Sequence, residues 1–253
     1  MDLGLKGLKA IVTGGTKGIG GAVAETFARE GTDVAICARS AADVEKMVAE
    51  LQALGVRAIG RAVDVSDGDA LQAWVRDVAA EFGGIDIVVG NVSALSMEDT
   101  EASWNLGFQI DLMHCVRMVD AAMPYLEQSK AASVVVISSV SGREVDAMSG
   151  PYGAFKAALV HYAKGLSFRY AGKGLRANAV SPGDTYYEGG VWTPMERDDP
   201  KLFAECLALS PIGRMAEPQE IANGIVFLSS PAASFINGTN LVIDGALTRG
   251  VQL

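Results

Sequence analysis

The chain has 253 residues, 49% of them hydrophobic, and a formal net charge of −9. That length and apolar share suit one large domain with an ample core. The acidic balance disfavours nonspecific binding to nucleic acid or anionic membrane, and no apolar run approaches the ~20 residues of a membrane-spanning helix.

Cys37, Cys115 and Cys206 stand far apart without a C-x-x-C pair, and His114 and His161 have no partner at metal-ligand spacing. Neither a zinc site nor a disulfide frame is expected, and no other metal site. The first twelve residues mix lysine into an apolar stretch and carry no secretory pattern, which points to a cytoplasmic protein.

In chain order, Lys9 to Thr13 reads as a short strand. T-G-G-T-K-G-I-G follows from Thr13 to Gly20, and then a helical pattern through Val23 and Phe27. A glycine-rich turn between strand and helix lets backbone approach a pyrophosphate and aims helix N-terminal amides at it. The spacing of Gly14, Gly18 and Gly20 departs from G-x-G-x-x-G, because Val23 takes the place of the last glycine. Asp33 to Ala38 is a second strand ending at Arg39 and Ser40. An acid there would accept from a ribose 2'-hydroxyl, whereas an arginine suits a 2'-phosphate, with Lys17 as a second cation. The pair favours NADP(H) over NAD(H), unless both are plain surface cations.

Ala42 to Leu54 predicts an amphipathic helix closed by Gly55, and Val56 to Val63 a third strand. Asp64 and Val65 follow. Asp64 is either a turn residue or an acceptor for an adenine amino group. Ser66 and Asp69 resemble a capping box for a helix reaching Phe82. Ile85 to Val89 is the fourth strand, leading into Gly90-Asn91-Val92-Ser93. A long helix is expected from Glu101 to about Gln128, with Asp111 inside its apolar pattern or at a solvated edge.

Ser133 to Ser138 is the fifth strand and delivers Ser139 at its carboxyl end. Tyr152 and Lys156 then lie four apart on a predicted helix running to about Ala171, so phenol and ammonium share a face. A fixed cation stabilises a phenolate and makes proton exchange with a carbonyl oxygen feasible near neutral pH. Leu175 to Val180 is the sixth strand, and Ser181-Pro182-Gly183 turns over the same crevice. Thr185 to Leu209 is less regular and aromatic, which suits a lid. Pro218 to Leu228 and Asn240 to Ile243 supply a last helix and strand. The alternation predicts a Rossmann-type, doubly wound parallel α/β sheet in one domain over residues 1–253, with a substrate lid at about 185–210.

These motifs, T-G-x-x-x-G-x-G, Asp64-Val65, Asn91, Ser139, Tyr152-x-x-x-Lys156, Asn178 and Pro182-Gly183, resemble the short-chain dehydrogenase/reductase family, most closely its 3-oxoacyl carrier-protein reductase type. The resemblance implies hydride transfer between NADP(H) and a carbonyl or secondary alcohol, without a metal. Tyr152 would be the general acid or base, Lys156 its cation and ribose ligand, and Ser139 the ligand of the substrate oxygen. Gly14, Thr16, Gly18, Ile19 and Gly20 would line the pyrophosphate. Lys17, Arg39 and Ser40 would meet the 2'-phosphate, Asp64 and Val65 the adenine, Asn91 the ribose side, and Pro182, Gly183 and Thr185 the nicotinamide. A homotetramer is the family's usual assembly.

Three departures stand out. Gly90-Asn91-Val92-Ser93 replaces the family's N-N-A-G, and Tyr187 replaces its frequent threonine. Asp111 replaces its catalytic asparagine, where its charge would pair with Lys156 and move the pH-rate profile upward. The lid aromatics suggest an apolar or aromatic substrate, or else pack the lid. Arg143 either meets a substrate carboxylate or bonds to Glu144 or Asp146. The alternative readings are an NAD-dependent alcohol dehydrogenase working oxidatively and a catalytically weak nucleotide-binding redox sensor.

Overall fold

The computed structural model describes residues 1–146 and 149–251. Its centre is a seven-stranded parallel sheet: β1 (Lys9–Thr13), β2 (Asp33–Ala38), β3 (Ala58–Ala62), β4 (Ile87–Gly90), β5 (Ser133–Ile137), β6 (Arg176–Pro182) and β7 (Asn240–Ile243). Their order is β3-β2-β1-β4-β5-β6-β7. Side chains alternate faces along each strand, so both faces of this β-branched sheet need cover. Val134 and Val136 of β5 join one buried cluster with Leu71, Trp74, Met118 and Leu159. Val135 and Ile137 join the other, with Phe27, Leu51, Ile221 and Ile225.

The first layer comprises α3 (Gly68–Phe82), α5 (His114–Leu126) and α6 (Pro151–Tyr170), and the second comprises α1 (Gly18–Arg29), α2 (Ala41–Ala53) and α9 (Pro218–Ser229). One α/β domain of the expected kind results. Because β1 is flanked by both β2 and β4, the chain leaves it in opposite directions on its two sides. In such sheets ligands bind beyond the carboxyl ends of the strands at this reversal.

Three local expectations change. Asp67, not Ser66, caps α3, accepting from Ala70 N at 3.0 Å. Ser66 instead donates its amide and hydroxyl to Asp64 Oδ1 at 2.9 and 2.7 Å. The long helix is divided into α4 (Glu101–Gly107), a π-helical turn at Phe108–Met113 and α5, and Asp111 lies in that turn, fully buried and not at a solvated edge. The segment after β6 is more regular than its composition suggests. It holds α7 (Trp192–Asp198) and α8 (Pro200–Ala208), the latter capped by Asp199 through Leu202 N with Pro200 in its first turn.

Candidate active site

The glycine turn after β1 is held very close to its neighbours. Gly14 and Gly18 have φ of 65° and 55°, in the left-handed region that a glycine adopts without steric cost. A Cβ on Gly20 would collide with the Gly14 carbonyl and lie 2.5 Å from the Asn91 amide. Asn91 pins this turn: its N–H donates to Thr13 Oγ1 at 3.0 Å, and its side-chain amide donates to the Thr13 and Gly14 carbonyls at 3.1 and 3.4 Å. Val92 touches Gly14, with Cγ2 3.0 Å from where a Cβ would sit. The Lys17 side chain makes no capping bond, so the first amides of α1 remain available to an anion.

Arg39 and Ser40 follow β2 at the same rim, both exposed, as is Lys17. Ser40 Oγ caps α2, accepting from Asp43 N at 3.3 Å. Asp64 faces the same end of the sheet, and its bonds from Ser66, aided by the Arg39 charge, hold its carboxyl below the usual range. Val65 is buried behind it.

Beyond β5, the Ser138 hydroxyl donates to the Lys156 carbonyl at 2.7 Å and fastens α6 to the sheet. Gly142 makes that approach possible, since a Cβ there would lie 2.7 Å from the Lys156 carbonyl carbon. Lys156 is 2% exposed, donates from Nζ to Ile137 O at 3.0 Å, and lies 5.5 Å from the Tyr152 ring centroid. Tyr152 is half-buried, its amide fixed on Ser96 O at 3.1 Å. Ser139 is 7% exposed, and the same strand end brings it beside α6.

Beneath these groups is a carboxylate. Asp111 Oδ1 lies 3.4 Å from Lys156 Nζ with no hydrogen-bond donor among the described residues, while Oδ2 accepts from Ala94 N at 3.2 Å. His114 anchors the π turn. Its Nδ1 lies against the Ile110 carbonyl, which can only accept, so Nδ1 carries the proton and Nε2 accepts from Thr13 Oγ1 at 3.4 Å. Burial, with Lys156 nearby, holds this histidine down at about 4, so it is neutral at ordinary pH.

Sequence reasoning missed a second hydrogen-bonded set. Ser141 donates to Asp146 Oδ2 at 2.6 Å, which spends its one proton, so in the 3.3 Å contact between hydroxyls Ser139 is the donor. Asp184, after the Pro182-Gly183 turn, is raised to about 6 by burial and by the Asp146 charge. The signal for this set was only a run of small polar residues after Ser139. Pro182 pairs with Ile243 as the last residue of β6, Gly183 packs against Asp244, and Thr185 donates to the Gly183 carbonyl at 3.0 Å. Arg143 reaches Thr248 Oγ1 at 3.5 Å, and Glu144 accepts from Gly250 N at 2.9 Å, so a C-terminal segment fastens this loop.

The aromatics of segment 185–210 pack largely on one another. Phe203 packs edge-on against both Tyr186 and Trp192, at 6.2 and 6.3 Å between centroids. Packing is thus one account of their presence in the sequence.

Comparison with known proteins agrees with this geometry. The family described as enoyl-(acyl carrier protein) reductase matches residues 14–248. The chain is 40% identical to isoepoxydon dehydrogenase of Penicillium expansum, over 100% of this chain and 99% of that one. It is 35% identical to cis-4-hydroxycyclohexanecarboxylate dehydrogenase of Sinomonas cyclohexanicum, over 94% and 96%. L-sorbose reductase of Gluconobacter frateurii, solved with NADPH and L-sorbose, superimposes with a TM-score of 0.92 at 29% identity, over 99% and 100% of the chains. A short-chain dehydrogenase of Burkholderia cenocepacia, solved with NADP, gives 0.88 at 31% identity, over 96% and 99%. With the Tyr152/Lys156 pair and the glycine turn at one end of a parallel sheet, the chain belongs to the short-chain dehydrogenase/reductase family of oxidoreductases.

Proposed function

We propose that the protein is an NADP(H)-dependent carbonyl reductase, reversibly a secondary-alcohol dehydrogenase. The observation that carries this reading is the buried Lys156 ammonium beside the Tyr152 ring at the end of β5. The crevice fits a dinucleotide: its glycine turn has no room for side chains, its helix N-terminus lacks a side-chain cap, and two exposed cations flank it. Gly14, Thr16, Gly18, Ile19 and Gly20 would hold the pyrophosphate, Lys17, Arg39 and Ser40 the 2'-phosphate, and Asp64 and Val65 the adenine. Pro182, Gly183 and Thr185 would border the nicotinamide. Asn91 acts indirectly, by fixing the turn. When bound, the cofactor supplies the hydride.

The chain's own residues do the rest. Tyr152 gives its proton to the substrate oxygen, Lys156 stabilises the phenolate left behind, and Ser139 orients that oxygen. Segment 185–210 closes over the site as a lid. The relatives' names specify isoepoxydon, a hydroxycyclohexanecarboxylate and sorbose, which supports a small oxygenated substrate here rather than a carrier-bound acyl chain. Trp104, Phe108 and Phe155 form a partly exposed aromatic group on α4, the π turn and α6, which supports a homotetramer.

The test is fluorescence titration with NADPH and NADH in the wild type and in Arg39→Ala, followed by NADPH oxidation with cyclohexanone and L-sorbose. Wild type should favour NADPH, and the variant should lose roughly 10- to 100-fold in NADPH affinity but little for NADH, as expected for a charge-assisted phosphate contact. Equal affinities in the wild type would favour the NAD-dependent dehydrogenase. Tyr152→Phe should lower kcat by ~10²–10⁴-fold with cofactor binding retained; tight binding without turnover in the wild type would favour a nucleotide sensor.

A further inference from the structure

Tyr187 stands where the glycine turn and the lid meet. A Cβ on Gly18 would lie 2.7 Å from Tyr187 Cζ and 2.8 Å from Cε1, so the hydroxyl-bearing end of the ring rests directly on the glycine turn. A Cβ on Gly190 would lie 2.9 Å from the same two atoms. The ring therefore lies against two residues that have no side chain, and an alanine at either position would crowd it.

The backbone bearing this ring is anchored at both ends. Before it, Tyr186 N donates to Ala216 O at 2.9 Å and Ala216 N to Asp184 O at 2.8 Å, while Thr185 and Ala216 form a β-bridge. After it, the Tyr187 carbonyl accepts from Gly190 N and from Thr193 Oγ1, both at 3.0 Å, and Thr193 Oγ1 accepts from Gly189 N at 3.1 Å. Tyr186, Trp192 and Phe203 pack the remainder of the lid among themselves. Tyr187 is the lid aromatic that leaves this cluster and reaches the dinucleotide turn.

We propose that Tyr187 is a cofactor-retaining residue: its ring fastens the lid to the glycine turn that would hold the pyrophosphate, so that NADP(H) leaves only when this contact opens. The proposal rests on the cofactor reading above. It concerns the ring rather than the hydroxyl, and retention rather than obstruction of entry. Removing the ring therefore speeds release and leaves the association rate nearly unchanged.

Stopped-flow fluorescence of NADPH binding and displacement tests this in the wild type and in Tyr187→Ala, Tyr187→Thr and Tyr187→Phe. The Ala and Thr variants should release NADPH tenfold or more faster, with association within twofold of wild type. NADH release should accelerate by the same factor, because both cofactors share the pyrophosphate. The Phe variant should restore slow release. Thr at 187 keeps a small β-branched side chain in the strap, so a misfolded Ala variant still leaves a measurement. Release within twofold of wild type in the Thr variant, or a change confined to association, would overturn the proposal. Failure of the wild type to bind either cofactor would overturn the cofactor reading itself, and the clasp with it.

Discussion

Asp111 stands where the family's pattern has an asparagine, and it is fully buried. A buried carboxylate 3.4 Å from Lys156 shares the charge that would otherwise act on Tyr152 alone. Its Oδ1 has no hydrogen-bond donor among the described residues, so the ammonium is its main compensation. Replacing it with asparagine keeps the size and removes the negative charge, leaving Lys156 more effective at stabilising a phenolate. The expected outcome for Asp111→Asn is an acidic, rising limb of the kcat/KM profile for alcohol oxidation moved to lower pH. Overlaying profiles would show that the ion pair does not reach Tyr152. The sequence revealed the aspartate and its alignment with a helix, but burial depends on the π turn. No periodicity announces the extra residue of such a turn.

Among the elements, α9 depends on a guanidinium from the neighbouring strand. Arg176, 8% exposed, donates to the Leu228, Ser229 and Ser230 carbonyls at 2.6, 3.1 and 3.0 Å, which satisfies acceptors that the helix end leaves unpaired. Arg176→Ala would strand those buried carbonyls and should cost about 3 kcal/mol, seen as a lower urea midpoint with an unchanged slope. The strands were legible because short apolar runs alternated with helical periodicity between turn residues. The caps shifted: Ser66 and Asp67 are both competent to cap α3, and the choice fell to Asp67 because Ser66 bonds to Asp64. The regularity of α7 and α8 was hidden because both are short and bury no residue in the core, so no long apolar stripe marks them.

At the scale of the whole molecule, pH acts on stability through Asp184. Its folded value is about 6 against 3.8 for an ordinary aspartate, so between these values the native state binds more protons than the unfolded chain. Stability therefore falls as pH rises through that window, and the penalty is complete above it. Asp184 is only partly buried, and solvent screening reduces the penalty to about 1–2 kcal/mol. Asp184→Asn should raise the Tm at pH 7.5 by a few degrees, with the gain vanishing below pH 4. A gain independent of pH would assign the effect to something other than the charge.

The sequence by itself determined the parallel sheet, its order of elements and the placing of Gly14, Arg39, Asp64, Asn91 and Ser139 after strand carboxyl ends, with Tyr152 and Lys156 on a following helix. Apolar runs and turn residues are local signals, and parallel α/β connectivity leaves one end of the sheet for a ligand. Only the tertiary structure decided what those residues touch. It spent the Asn91 amide on the glycine turn, buried Asp111 under Lys156, set the Ser139 proton toward Ser141 and Asp146, and laid Tyr187 on Gly18. Each of these joins segments distant in sequence, or neighbours whose contact depends on a turn. Burial, proton direction and close approach arise from the packing of several elements at once, and local spacing does not encode them.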